Sequence, residues 1–489
     1  MPETVLVYTY RIYWALFLSF MLIWGFRCSW KGENIKDYSG VREDTAVISL
    51  DPALFPMLLA LCTFLYLILW REKGAVYLLA MITDIFLFIC IYFTLLILFL
   101  PVLRKHYTAR TCVALWLIPM LLYYQPNIMF ISAPLPATAI LYIPGEILRI
   151  CFSVWIAGFG IILAVQVISH ILFASGLERN SYPVEAPELL AKWESVRKEM
   201  NCRPSSRLRY SPALATPLTV GLRKKKRATY LPEREYTEEE LKLIFSHELY
   251  HVQRNDTHTK FFLKFCNALG WVNPLVWAAV KKAEADLELA CDEIVLKNAD
   301  GAERRRYAEL LLSTAGESRG YTTCLSASAK TLRYRLRETQ TARKRRAGFI
   351  LLFTVMFVSS LTVGKIAIAT ERGTTGEITG LNMTDLTEAS AGFGRGSEES
   401  CEIRDVKSLS SYLSGLQMET VLSSYGTGNS PLEGENTLYG KMGTAGEIFY
   451  IHDDYLEIYD SGCAGQTVQY HFVEPLDWEY VRALCETEG

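Results

Sequence analysis

Residues 237–251, Thr237-Glu-Glu-Glu-Leu-Lys-Leu-Ile-Phe-Ser-His247-Glu248-Leu-Tyr-His251, place two histidines four positions apart with a carboxylate directly after the first. In an α-helix, positions i and i+4 lie on one face. His247 and His251 can therefore aim both imidazoles at one metal ion while Glu248 reaches the water beside it. The flanks support a helix: Thr237 stands at an N-cap position with Glu240 three residues on, and an apolar run of Leu241, Leu243, Ile244 and Phe245 follows.

A hydrolytic zinc needs a third protein ligand from elsewhere in the fold and one open position. The stretch Glu284-Ala-Asp-Leu-Glu288-Leu-Ala-Cys291-Asp292-Glu293 is strongly helical in composition, and Glu288 and Asp292 share a face in it. Glu288 is the candidate ligand, and Asp292 the candidate to orient a ligand histidine. The same acids also read as a solvated helix face, and Cys291 as either a soft ligand or a small buried hydrophobe. Asp256 and His258 lie close by in sequence. Neither is placed on the metal; Asp256 is assigned a supporting position behind it.

Three motifs in order, His247-Glu-Leu-Tyr-His251-Val-Gln-Arg254-Asn-Asp256, Trp271-Val-Asn273-Pro274-Leu-Val-Trp277 and Glu288-Leu-Ala-Cys291-Asp292, resemble the BlaR/MecR-type integral-membrane metallopeptidases, which are gluzincin-like. The resemblance implies His247, His251 and Glu288 as ligands of Zn2+ and Glu248 as general base. It covers residues 176–370 well and the spans before them loosely. Pro217-Leu-Thr-Val-Gly221 and Tyr230-Leu-Pro232 resemble the strand region ahead of the active helix in that family, where an edge strand could pair with an extended peptide. The family's antibiotic sensors carry a penicillin-binding domain with a Ser-x-x-Lys nucleophile; no Ser-x-x-Lys follows residue 370 here, so acylation by a β-lactam is not expected.

About half of the 489 residues are apolar (51%), too many for one soluble domain of this length. Runs long enough to cross a bilayer fall near 5–26, 52–70, 76–101, 111–124, 143–174 and 347–369. The fourth is short. The first lacks a basic n-region and a small-x-small cleavage site, so it reads as a retained span rather than a signal peptide.

Basic residues flanking spans resist translocation. With the N-terminus outside, the loops at 27–51 and 102–110, with Arg27, Lys36, Arg42, Arg104 and Lys105 among their residues, are cytoplasmic. The same orientation puts 175–346, in which basic residues predominate, inside and the acidic 370–489 outside, with Arg343-Lys344-Arg345-Arg346 at the border. A net charge of −2 conceals this asymmetry.

The architecture expected is thus a multi-span α-helical membrane protein with an inserted cytoplasmic α+β zincin domain and a small extracellular α+β C-terminal domain. Its parts are 1–174 with about five spans, 175–346 the peptidase, 347–369 the final transmembrane helix, 370–400 a Gly/Ser/Thr-rich linker and 401–489 the exterior domain. In the last, Glu447–Tyr459 reads as a hairpin turning at Asp453-Asp454, Thr467–Val473 as a third strand and Asp477–Glu486 as a closing helix. Residues 187–200 read as an amphipathic helix and 206–231 as short strands. The aromatic stretch 260–282 reads either as core packing on the active helix or as contact with the bilayer or its helices.

Twelve cysteines are scattered without metal spacing. Cys401, Cys463 and Cys485 fall in the exterior domain, where one bridge could form, its pair not readable from spacing. The cluster Arg223-Lys-Lys-Lys-Arg227 comes with no nucleic-acid recognition motif and suits anionic lipid headgroups better. No direct nucleic-acid partner is expected. The function expected is a membrane-embedded zinc endopeptidase with a cytoplasmic active site. By resemblance, it transduces an outside signal by cleaving a protein substrate, either itself or a cytoplasmic transcriptional repressor; a homodimer is left open. The alternatives are a receptor or scaffold with a structural zinc, and a membrane protease processing lipidated or membrane-embedded tails.

Overall fold

The computed structural model describes residues 3–34, 83, 86–122, 139–200, 202, 206–221, 227–315, 329–340, 345–362, 366–394, 399–422, 435–443, 447–459 and 468–486. The run 52–70, the start of the run at 76–101, the basic residues 223–226 and 343–344, and Cys463 lie outside them.

The chain begins with α1 (Glu3–Asn34), α2 (Phe86–His106), α3 (Ala109–Leu122), a short strand β1 (Ala139–Tyr142) and α4 (Gly145–Arg179). Helices α2 and α4 are long and apolar enough to cross a membrane. At 35 residues, α4 extends roughly 52 Å at 1.5 Å per residue. Its Ile150, Val154, Ile161, Val165 and Leu172 are exposed with no protein over them, an apolar surface of the kind that meets lipid.

The next segment joins a small sheet to a helical body. It comprises β2 (Tyr182–Pro183), α5 (Pro187–Glu199), β3 (Arg207–Tyr210), β4 (Leu218–Val220), β5 (Ala228–Leu231), α6 (Glu238–Arg254), α7 (Asp256–Leu269), α8 (Pro274–Val295), α9 (Gly301–Ala315) and α10 (Ala329–Gln340). Among the described residues, the strand order β2-β3-β5-β4 leaves β4 as an edge strand paired with β5. The amphipathic helix and the short strands read from sequence are both present.

Phe262 and Phe265 of α7 and Val276 and Leu287 of α8 are buried, and what buries them is one core shared with Phe93 and Leu100 of α2, Trp116 of α3 and Leu352 of α11 (Phe349–Thr362). Of the two readings of 260–282, contact with the apolar helices is the one the packing supports. Trp155 of α4 donates through its indole to Leu269 O, and Trp271 donates back to Trp155 O. Gly158 permits this approach, since a Cβ there would sit 2.3 Å from the Trp271 ring.

The last segment forms a nine-stranded sheet in the order β1-β6-β9-β13-β12-β11-β10-β7-β8. Its elements are β6 (Ile366–Thr374), α12 (Thr375–Thr379), β7 (Leu386–Phe393), β8 (Glu399–Glu402), α13 (Val406–Gly415), β9 (Gln417–Leu422), β10 (Asn436–Met442), β11 (Glu447–His452), β12 (Tyr455–Tyr459), β13 (Val468–Phe472) and α14 (Trp478–Glu486). One sheet face packs Met418, Leu438, Phe449, Ile451, Leu456 and Phe472 against α13 and α14. The hairpin with its turn at Asp453-Asp454, the third strand and the closing helix match expectation. The bridge joins Cys401 to Cys485, tying β8 to α14.

Two expectations are corrected. The apolar run 347–369 is not one helix: α11 ends at Thr362, and Ile366 begins β6. Alternating Ile366, Ile368 and Thr370 suit a strand flanked by β1 and β9, and hydropathy alone cannot distinguish that from a continuing span. The 370–400 segment is likewise not a bare linker. It holds most of β6, all of α12 and β7, and the start of β8, because Gly and Thr there serve a capping box at Thr374 and a left-handed C-cap at Gly380 (φ 72°) rather than flexibility. Strand β1, which lies far upstream between apolar helices, pairs in parallel with β6 and was not foreseen.

Candidate metal centre

Both bonds of the capping box form at the start of α6: Glu240 N–H donates to Thr237 Oγ1 (3.2 Å) and Thr237 N–H to Glu240 Oε2 (2.8 Å). That fixes the start of a 17-residue helix whose buried stripe of Ile244, Phe245, Leu249 and Val252 sets its rotation. His247 and His251 then fall on one face with their Nε2 atoms 3.2 Å apart. From α8, Glu288 Oε2 lies 3.5 Å from the first and 3.6 Å from the second. A tetrahedral ion with bonds near 2.0–2.1 Å needs ligand atoms about 3.3 Å apart. The two nitrogens and one oxygen satisfy that spacing, and their chemistry suits zinc.

The atoms turned away from this triangle are held. Tyr307 of α9 lies with Oη 2.6 Å from Asp292 Oδ1 and 3.0 Å from His247 Nδ1. An ionised Asp292 only accepts, so the hydroxyl donates to it and accepts from Nδ1–H, leaving His247 Nε2 with its lone pair forward. Asp292 also accepts two bonds from Arg335 of α10, both 2.7 Å. His251 Nδ1 lies 2.7 Å from Asp256 Oδ2, and Arg254 binds the same carboxylate at 2.6 Å. Asn255, in the left-handed region at φ 55°, turns the chain sharply between α6 and α7 and brings Asp256 back onto His251.

Charge reinforces the geometry. Burial alone would raise the pKa of Glu288, but Lys260, 3.0 Å from Oε1, together with the histidines holds it well below the ordinary carboxylate value. Burial would raise Asp256 also; Arg254 and His251 instead bring it down to about 2. Both acids are anions at neutral pH, as a ligand and a histidine-orienting group must be. A second cluster, His251, Asp256 and Cys291, lies behind His251. Its carboxylate is already committed to His251 and Arg254, and burial raises the Cys291 thiol, so it is the poorer metal site.

Glu248 is 5% exposed and accepts from Thr219 Oγ1 at 2.7 Å. Thr219 belongs to the edge strand β4 and also contacts Thr229 Oγ1 (2.9 Å), which contacts Ser206 Oγ (2.9 Å). Of the residues singled out from sequence, His247, His251, Asp256, Glu288 and Asp292 are linked by these contacts, while Glu248, next to His247 in the chain, contacts Thr219. Tyr307, Arg335, Lys260 and Thr219 were missed. Tyr307 follows Arg304-Arg305-Arg306, which reads as a solvated helix face or a self-cleavage site; Thr219 lies in Pro217-Leu-Thr-Val-Gly221, which reads as an edge strand and not as a partner of Glu248; no local pattern marks Lys260 or Arg335.

A His-Glu-x-x-His helix with a distal carboxylate, joined through α7 and α8 to apolar helices, defines a metal-dependent peptidase architecture. Residues 59–338 match the family described as BlaR1 peptidase M56, and the chain belongs to that metallopeptidase family. It is similar to the Regulatory protein BlaR1 of Bacillus licheniformis, 30% identical over 179 residues, 36% of this chain and 29% of that protein. The match therefore spans less than a third of that relative's length.

Proposed function

We propose that this chain is a membrane-embedded zinc endopeptidase with its active site on the cytoplasmic side, acting as a signal-transducing regulatory protease. The observation that carries the reading is the convergence of His247 Nε2, His251 Nε2 and Glu288 Oε2 at 3.2–3.6 Å, from two helices 37 residues apart between His251 and Glu288. Zinc, when bound, supplies Lewis acidity and a more acidic water. Glu248 takes the proton from the attacking water and returns it to the leaving amine. Thr219 holds the Glu248 carboxylate, and the open edge of β4 offers backbone groups to an extended substrate.

Three donors and no fourth protein ligand among the described residues favour a catalytic over a structural ion. The chain's charge asymmetry supports the orientation, and the relative's printed role as a regulatory protein supports signalling, with the chain itself or a cytoplasmic repressor as substrate. Glu248→Gln tests the reading. Cleavage should fall roughly 100- to 10,000-fold while metal content stays stoichiometric, and comparing the cellular peptide pools of the two forms would identify substrates. Full proteolysis by the Gln variant, or purified protein without stoichiometric metal, would overturn the proposal.

A further inference from the structure

The acidic stretch of α8 is divided between two opposite faces. Glu288 and Asp292 point to the histidines, as described above. Asp286 and Glu293, seven residues apart and so on one stripe, lie on the other side of the helix. Asp286 is 0% exposed, and its two oxygens are taken by residues of the apolar helices: Arg104 Nε donates to Oδ1 at 2.7 Å and Trp116 Nε1 to Oδ2 at 2.9 Å. Arg104 also donates to Lys282 O on α8 (3.2 Å). Its guanidinium covers the ring of Tyr334 at 4.8 Å, beside the Arg335 that grips Asp292. About two turns further along α8, Glu293 accepts from Ala109 N–H at the start of α3 (2.8 Å) and from Arg345 (2.5 Å).

A helix held at two points two turns apart can neither rotate nor slide without breaking buried, charge-assisted bonds. We propose that Arg104 and Trp116 are positioning residues for the metal site: by fixing Asp286 they set the rotation of α8, and so place Glu288 against His247 and His251. Arg104 lies in the last turn of α2 and Trp116 within α3. The junction of these two helices is thereby the element whose displacement moves the third ligand. This rests on the peptidase reading for its consequence, though the clamp itself is independent of it.

The test uses the full-length chain in detergent or nanodiscs, with Arg104→Gln, Trp116→Phe, Asp286→Asn and the double variant Arg104→Gln/Asp286→Asn. Zinc affinity is read by competition with a chromophoric chelator, and kcat and KM on a cleaved peptide. Each single variant should lose roughly tenfold or more in zinc affinity and lower kcat with KM unchanged. The double variant, which replaces the ion pair by two neutral amides, should regain at least half of that loss. Folded single variants that bind zinc within twofold of wild type would overturn the inference. Should Arg104→Gln fail to accumulate, Trp116→Phe, which removes one N–H from an aromatic of similar shape, decides in the same way. Wild-type protein that binds no zinc refutes the peptidase reading instead. The clamp is then decided by amide hydrogen exchange over 284–293, which Arg104→Gln accelerates if the inference holds and leaves unchanged if it does not.

Discussion

Tyr307→Phe removes one oxygen from the site and tests how His247 is oriented. The hydroxyl makes two bonds, to Asp292 Oδ1 at 2.6 Å and from His247 Nδ1 at 3.0 Å. Phe occupies nearly the same buried volume, so the loss is confined to those bonds. Hydrogen bonds to charged groups contribute about 1.5–3 kcal/mol each. Asp292 keeps both bonds from Arg335, and its Oδ1 lies only 3.4 Å from His247 Nδ1, close enough to take over part of the role. The net cost should therefore sit near the low end, about 1.5 kcal/mol, or roughly tenfold in zinc affinity. Asp292→Asn should cost more, because it also takes from the buried Arg335 the carboxylate it holds by two bonds, leaving only Glu288 Oε2 at 3.5 Å as its anionic neighbour. Competition with a chelator of known affinity measures both. Tyr307→Phe binding zinc as tightly as wild type would show that the hydroxyl does not hold the imidazole, and binding more weakly than Asp292→Asn would refute the ranking of the two.

Thr219→Val should lower kcat roughly tenfold with metal content unchanged, since it removes the donor to Glu248 while keeping a β-branched residue in the edge strand; steady-state kinetics of Thr219→Ser, expected to stay near wild type, provides the control. Gly158→Val should destabilise the junction of α4 and α7 by about 1–3 kcal/mol through collision with Trp271, and unchanged thermal unfolding with unaltered Trp fluorescence would contradict it. In the C-terminal segment, burial lowers the pKa of His452 from 6.5 to about 4, and neither ring nitrogen has a hydrogen-bond partner among the described residues. Between those values the unfolded chain binds more protons than the folded one, so stability is full above pH 6.5 and declines as pH falls toward 4, by at most about 3 kcal/mol. Hydrogen exchange of β11 against pH should show this loss, and His452→Phe should flatten it; a wild-type profile without slope in that window would refute the assignment.

The local parts of the site were legible because their geometry is set by helical periodicity. His247 and His251 share a face by spacing alone, Thr237 and Glu240 form the cap their types announce, and Asp453-Asp454 turns the hairpin it interrupts. Glu288 was legible only as one of five acids in a single stretch. Spacing cannot say which way α8 is rotated, and the outcome divided four of those acids between the candidate metal site and the apolar helices, with Glu284 paired to Lys264 of α7. The Gly/Thr-rich segment after residue 370 misled for a related reason: composition that suits a linker also suits caps and strands once a sheet is present to pair with.

The sequence by itself determined the elements whose interactions close within about one turn, the His-Glu-x-x-His helix, its cap and the long apolar helices, together with the predominance of basic over acidic residues in residues 175–346. Only the tertiary structure decided that Tyr307, Arg335 and Lys260 stand behind the ligands, that Asp286 locks α8 to α2 and α3, and that β1 extends the C-terminal sheet. These contacts join residues from 15 to more than 200 positions apart. Their partners are selected by the packing of whole elements, and no local pattern of residue types records that choice.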